Sequence, residues 1–281
     1  MTGVGHQGDY TIRPFSSVDE FRACVALQEE TWGHGFSERV PTAILKVSQI
    51  LGGVSAGAYD PSGGLVGFVF GMTGLRGGQL VHWSDMLAVR KEARDGGLGR
   101  MLKAYQREQV LALGVERMHW TFDPLQSRNA YLNFSKLGIV VHEYVQDMYG
   151  QTDSPLHLGI GTDRFIALWQ LKSERVEARL ARVDAMVTAE EAGDTPFALG
   201  VRTDSGEPRP GEANLSLTAD RLRVAIPTDI VTIMNHSMEL AMEWRMATRP
   251  VFAHYLRDGY EVRELVRGDR SSDYLLAKIA Q

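Results

Sequence analysis

The sequence predicts a mixed α/β fold: a twisted sheet flanked by helices, followed by a small C-terminal α/β unit. Three observations predict it. Two strand-like runs, Val54–Tyr59 and 65–73, flank Asp60-Pro61-Ser62-Gly63-Gly64, a turn signal that makes them a hairpin. A long strand pattern, Gln79–Val89, ends in a glycine-rich turn that opens a helix. From 117 to 171 strand and helix patterns alternate, as in a parallel-leaning α/β core.

In chain order, residues 10–13 read as a first strand. Ser16 or Ser17 then caps a helix whose apolar face carries Val18, Phe21, Val25 and Leu27. Pro41 suits the first turn of a second helix through Leu51. After the hairpin, 74–78 is a turn. The helix from Leu98 shows Met101, Leu102 and Tyr105 at helical spacing and stops at Gly114. Arg117–Phe122 alternates Met118, Trp120 and Phe122 against His119 and Thr121, a strand pattern. Residues 127–137 form a helix ending at Gly138, and 139–144 and 164–171 are strands. Residues 173–182 are charged and helical in spacing. The stretch 188–217, with Gly206-Glu207-Pro208-Arg209-Pro210-Gly211, reads as a connector. Beyond it come a strand at 222–226, mostly helix over 228–256, and strands at 260–266 and 274–279. The expected organisation is a domain at 1–172, a helix and connector at 173–213, and the C-terminal unit at 214–281.

The chain has 281 residues, 44% hydrophobic and 23% charged, enough to bury a real core. Its net charge of -5 argues against a general nucleic-acid or anionic-membrane binder. The single cysteine, Cys24, excludes an internal disulfide framework and reads as a small buried hydrophobe. No apolar run approaches the roughly 18 residues needed to cross a bilayer. Residues 1–9 lack a charged-then-apolar signal pattern, so a cytoplasmic protein is expected.

The chemistry concentrates at Arg94-x-x-Gly97-x-Gly99, between the strand ending at Val89 and the helix from Leu98. Glycines let the backbone turn tightly, and the first N–H groups of a helix together with its dipole favour an anion. The segment therefore reads as a phosphate cradle. A dinucleotide loop would need Gly-x-Gly-x-x-Gly early in a βαβ unit, and a nucleotide-triphosphate loop would need Gly-Lys-Ser or Gly-Lys-Thr. Neither is present.

About thirty residues on comes Asn129-Ala130-x-x-x-Phe134-x-x-Leu137-Gly138. Together the two segments resemble the GNAT superfamily of acyl-CoA N-acyltransferases, over about 10–172 and most strongly over 81–144. The resemblance implies a GNAT-type mixed sheet, with acetyl-CoA or another acyl-CoA as co-substrate and transfer of an acetyl or succinyl group to a small-molecule amine such as an amino acid. It implies that Arg94, Asp95, Gly96, Gly97, Leu98, Gly99 and Arg100 hold the pyrophosphate. Leu87, Ala88 and Val89 would offer strand-edge backbone to the pantetheine arm, with Asn129 and Phe134 nearby. A nucleic-acid or membrane partner is not expected; a homodimer is compatible with the pattern.

Alternation puts Trp83, Asp85 and Leu87 on one side of their strand and His82 and Ser84 on the other. Asp85 stands where the family often has a base, so it is the base candidate; a strand Asp bonded to a neighbouring loop is the plainer alternative. Trp83 would line the acceptor side. Many members of the family carry a Tyr where this chain has Phe134, so Tyr131 or Tyr144 is the candidate proton donor, unless none is needed. That departure keeps open a non-catalytic acyl-CoA-binding sensor or scaffold. Asp95 beside the cradle is a second departure, because its carboxylate must turn away from the pyrophosphate. Asp123 either meets the substrate amine or starts the turn at Pro124. Arg245 and Arg249, four apart on one helix face, either bind a substrate carboxylate or make salt bridges.

Overall fold

The structure is a computed structural model that describes residues 5–7, 10–34, 36–94, 96–150, 159–181, 193–202 and 206–279. The chain packs as two compact units: Met1–Trp120 with Gln170–Lys172, and Thr121–Trp169 with Ser173–Gln281. The packing boundary therefore falls inside the 1–172 stretch.

In the first unit, β1 (Gly5–Gln7), β2 (Tyr10–Pro14), β3 (Val54–Tyr59), β4 (Leu65–Arg76), β5 (Gln79–Val89) and β6 (Arg117–Phe122, as far as Trp120) lie in sequence order. Neighbours are antiparallel as far as β5, which pairs in parallel with β6. The added strand is β1, which the sequence reading did not anticipate. Helix α1 (Val18–Trp32) starts on a capping box: Ser17 Oγ accepts from the Glu20 N–H at 3.2 Å, and the Glu20 carboxylate accepts from the Ser17 N–H. The Arg13 guanidinium also grips Glu20 at 2.6 Å and holds its carboxyl down at about 2. Helix α2 (Thr42–Ile50) follows Pro41.

The core of this unit joins Phe21, Cys24 and Leu27 of α1 to Leu45 of α2 and to Phe68, Phe70, Met86 and Ala88 of the sheet. Each large side chain here contributes about 1.5–3 kcal/mol by leaving water. Burial pushes the Cys24 thiol up to about 12, as befits a small hydrophobe. Residues 74–78 are not all turn. Strand β4 continues to Arg76, and Gly77 and Gly78, with φ of 57° and 77°, make a two-residue hairpin that requires positive φ at both positions.

The second unit contains α4 (Ser127–Tyr131), which widens into a π-helical turn at Leu132–Leu137 and stops at left-handed Gly138. Then come β7 (Val140–Val145), β8 (Arg164–Gln170, as far as Trp169), α5 (Glu174–Ala181), β9 (Phe197–Arg202), β10 (Arg209–Ala213), β11 (Arg221–Pro227), α6 (Ile230–His236), α7 (Met238–Arg257), β12 (Tyr260–Arg267) and β13 (Ser271–Lys278). Strand order is β8-β7-β12-β13-β11-β9-β10. Edge-on rings of Phe122, Phe134, Phe165, Phe252 and Tyr274 fill its core, with centroids 4.7–6.1 Å apart.

The expected connector is a correction. Its described part holds β9 and β10, with Pro210 on the outermost strand, where a missing N–H is tolerated. A Cβ on Gly211 would stand 3.2 Å from the Gly200 carbonyl, so glycine there serves strand approach as well as turning. Residues 182–192 and 203–205 of that expectation, Arg182 of the charged helix among them, lie outside the described residues. Among the described residues no helix is long and apolar enough to cross a membrane.

Candidate active site

The cradle belongs to the first unit. Past Val89 the chain makes a single helical turn at Lys91–Ala93, and Gly97 takes φ 82° immediately before α3 (Leu98–Ala112). Among the described residues no side chain caps the N-terminus of α3, and no acidic residue occupies its first turn. A Cβ on Gly96 or Gly97 would meet nothing within 4 Å, so the backbone lies open to an approaching group. Leu98 is buried as the anchor of the helix, Gly99 and Arg100 are half-buried, and Arg94 Nε is tied to the Val89 carbonyl at 2.9 Å. Asp95 lies outside the described residues.

Strand β5 departs from simple alternation. Ser84 pairs with Gly71 and Met86 with Phe70, so Asp85 is one residue too many for its partner strand: a β-bulge. The bulge reverses the alternation. His82 and Ser84 bond to α3, and beyond Asp85 it is Leu87 that meets α3, 3.7 Å from the position of a Gly99 Cβ. Met86 and Ala88 join the α1 and α2 core instead. Leu87 thus shares the face of His82 and Ser84, a correction to the expected grouping. Trp83 stacks on His119, 6.5 Å between centroids.

Asp85 is solvent-accessible but ringed by protein atoms. That crowding raises its carboxyl above the usual range, against a hydrogen bond from Trp83 that lowers it; Glu38 adds a raising charge. The β5–β6 ladder holds only His82–Met118 and Trp83–His119. From Ser84 to Val89, among the described residues, no strand of this unit is registered against that edge of β5.

Behind this fork runs a buried hydrogen-bond chain that sequence reasoning missed. Lys103 Nζ donates to Ser84 Oγ at 2.7 Å, and Ser84 donates to Gln106 Oε1 at 2.8 Å. Thr73 Oγ1 spends its proton on the Gly52 carbonyl at 2.8 Å. His82 Nδ1 must therefore donate to Thr73 at 3.0 Å, leaving Nε2 to accept from Gln106 Nε2 at 2.9 Å. His82 is thereby fixed as one neutral tautomer, and burial pushes its pKa down to about 3. Burial also lowers the Lys103 ammonium well below its ordinary value. The Lys103 nitrogen stands 3.7 Å from the Trp120 ring centroid. In sequence Lys103 looks like a charged helix residue; only the buried spacing of Leu98, Leu102, Tyr105 and Gln106 hints that it points inward.

The remaining candidates belong to the second unit. Asp123 and Arg245 pair with each other at 2.6 Å, each side chain 1% exposed, while Arg245 Nε donates to the Ile160 carbonyl and Asp123 accepts the Leu125 N–H. Neither charge is open to a substrate. Arg249 grips Asp163 through Nε and Nη2, at 2.9 and 2.7 Å, and also reaches Asp147. Burial alone would raise Asp163, yet Arg249 and the Tyr144 hydroxyl, which donates to it, hold it below its ordinary value. Burial first, and that bond second, push Tyr144 up. Tyr131 is half-buried, with Lys136 and Arg267 each 5.1 Å from its ring. Asn129 is exposed on α4. Phe134 is fully buried in the aromatic core. One turn past Asn129, Asn133 is 2% exposed, and among the described residues its amide nitrogen finds no hydrogen-bond partner.

No family profile matches the chain, and none of the curated proteins does. Solved structures do resemble it. One is a ribosomal-protein-S5-alanine acetyltransferase from Vibrio fischeri, 13% identical with a TM-score of 0.49, the match spanning 61% of this chain and 98% of that one. A phosphinothricin acetyltransferase from Sinorhizobium meliloti, in complex with acetyl-CoA, is 16% identical with a TM-score of 0.46, over 57% of this chain and 87% of that one. The likeness is to GNAT acetyltransferases. A GNAT family acetyltransferase from Elizabethkingia anophelis with acetyl-CoA bound is 11% identical with a TM-score of 0.45, over 58% of this chain and 99% of that one. At such values the likeness carries no functional weight, which rests on the chain's own residues.

Proposed function

We propose that the chain is a GNAT-type N-acyltransferase that moves an acyl group, acetyl or succinyl, from coenzyme A to the amine of a small substrate such as an amino acid. The observation that carries this reading is the continuity of three features in one unit. An uncapped glycine cradle at α3 leads to an open β5 edge, which ends at a bulged carboxylate. The donor set suits the ligand: helix N–H groups for a pyrophosphate, free strand-edge backbone for an amide-bearing arm, and no acidic residue in the first turn of α3.

In this mechanism the N–H groups around Gly96–Arg100 hold the pyrophosphate, and Leu87, Ala88 and Val89 orient the arm as a strand would be oriented. Asp85, directly or through a water, takes a proton from the acceptor ammonium. Its raised pKa makes it a better base than an ordinary Asp near neutral pH. Trp83 flanks the acceptor.

A second reading, acyl-CoA binding without turnover, is favoured by Phe134, which brings no hydroxyl, and by the commitment of Tyr144 to Asp163. Calorimetric titration with CoA and acetyl-CoA, followed by thiol-release assays against a panel of amino acids and amines, separates the two. Binding with thiol release supports the enzyme. Tight binding with no release from any amine supports the sensor, and no binding of either ligand removes both.

A further inference from the structure

We propose that Lys103 is the group facing the donor sulfur: once Asp85 has taken the first proton of the acceptor ammonium, the Lys103 amine takes the second and hands it to the departing thiolate. This rests on the acyl-CoA reading above. The place of the sulfur follows from the open edge. An extended arm leaving the cradle can run along β5 from Val89 to Ser84, about 17 Å at the rise of a strand, comparable to an extended pantetheine arm. It must end there, because the His82–Met118 and Trp83–His119 rungs close the way. Ser84 and Trp120 are the first residues beyond those rungs. Lys103 bonds the one at 2.7 Å and lies 3.7 Å from the ring centroid of the other, so its amine stands at the end of that path.

The hydrogen-bond chain prepares this amine. From Lys103 through Ser84, Gln106, His82 and Thr73 to the Gly52 carbonyl, every donor points the same way, so the dipoles reinforce one another. Lys103 heads the chain as a donor, which turns its lone pair away from Ser84. Lys103 is only 5% exposed, and among the described residues no carboxylate acts on it; burial alone accounts for its lowered value. On the neighbouring strands the titratable and charged groups are His82, kept neutral, and Asp85 of β5, with Arg117 and His119 of β6. Burial favours the neutral amine at rest, while the Trp120 ring stabilises the ammonium once formed. During transfer the acceptor N–C bond forms and the C–S bond breaks. The first proton of the ammonium stays with Asp85 until it passes to solvent; the second leaves nitrogen for Lys103 and then Lys103 for sulfur, giving amide and thiol with Lys103 restored.

The test needs no turnover. Free CoA is bound to wild type and to Lys103→Met, a variant of similar length that removes a buried amine rather than adding one. Its thiolate absorbance is followed against pH. Wild type should hold about tenfold more thiolate than K103M at a given pH near neutrality, because the Lys103 N–H stabilises an anion that methionine would leave in apolar surroundings. In parallel, wild-type protein with 13C-labelled lysine is titrated with CoA and with desulfo-CoA; the chain has only six lysines to resolve. The Lys103 side-chain signal should move further with CoA. Identical thiol titrations, or identical Lys103 shifts with both ligands, overturn the proposal, and the second measurement stands even if K103M fails to fold. Wild type that binds no CoA at all overturns the underlying acyl-CoA reading, a distinct outcome.

Discussion

Arg245 and Asp123 face each other across 2.6 Å with both side chains sealed from solvent. Two residues that the sequence offers as substrate binders are thus each other's partner. Removing one leaves a buried charge uncompensated, which typically destabilises by about 3–5 kcal/mol. Arg245→Met should therefore lower unfolding stability by that order, measured by denaturant melts. Joining Asp123→Leu to it should recover much of the loss. An Arg245→Met protein of wild-type stability with a raised acceptor KM would return Arg245 to the substrate site.

Gly97 holds φ 82° in open space. A side chain there meets no clash but must enter the left-handed region, at about 1–2 kcal/mol. Gly97→Ala should lose that much stability and keep much of its CoA affinity. Gly97→Glu should keep the fold yet weaken CoA binding at least tenfold by like-charge repulsion. Calorimetry showing unchanged affinity in Gly97→Glu removes the cradle from the ligand.

Asp85 carries a carboxyl pushed upward, mainly by crowding. As a base it works only when ionised, so the wild-type rate should climb with pH through that raised value. Asp85→Asn should lower kcat by about 100-fold or more, with that limb of the profile gone and CoA affinity kept. Because the folded pKa exceeds the unfolded one, the ionised group opposes folding. Asp85→Asn should then melt higher than wild type at neutral pH, the gap closing in acid. A variant with wild-type kcat and the same pH profile excludes Asp85.

His82 is held neutral, down to about 3 against an ordinary 6.5. Its folded value lies below its unfolded one, so its contribution is whole above roughly 6.5 and is lost as pH falls toward about 3. The loss runs at about 1.4 kcal/mol per pH unit. Acid melts of wild type should show this slope, and His82→Gln should flatten it. An equal slope in both would move the acid sensitivity elsewhere.

Much of the local structure was legible because local rules govern it. Ser17 with Glu20, Asp60 to Gly64 and Gly138 each act within a few residues of themselves, and the structure has the cap, the hairpin turn and the helix stop there. The bulge was not legible. Alternation assumes that every residue has a partner, and whether Asp85 has one depends on the register of β4 against β5. Strands β9 and β10 were hidden for a similar reason, since Gly200, Pro210 and Gly211 disfavour strand until a neighbour supplies the hydrogen bonds.

By itself the sequence determined the α/β class and the glycine turn before Leu98, along with a small apolar role for Cys24. These follow from residue spacing, the glycine backbone and hydrophobicity. Only the tertiary structure decided that Leu87 faces α3, that Arg245 is closed on Asp123, and that Lys103 is buried at the head of a polar chain. Burial, register and the partners of a charge depend on residues distant in sequence, 19 positions apart for Lys103 and Ser84 and 122 for Arg245 and Asp123. No local pattern encodes such pairings; they exist only once the sheet is assembled and water has been excluded.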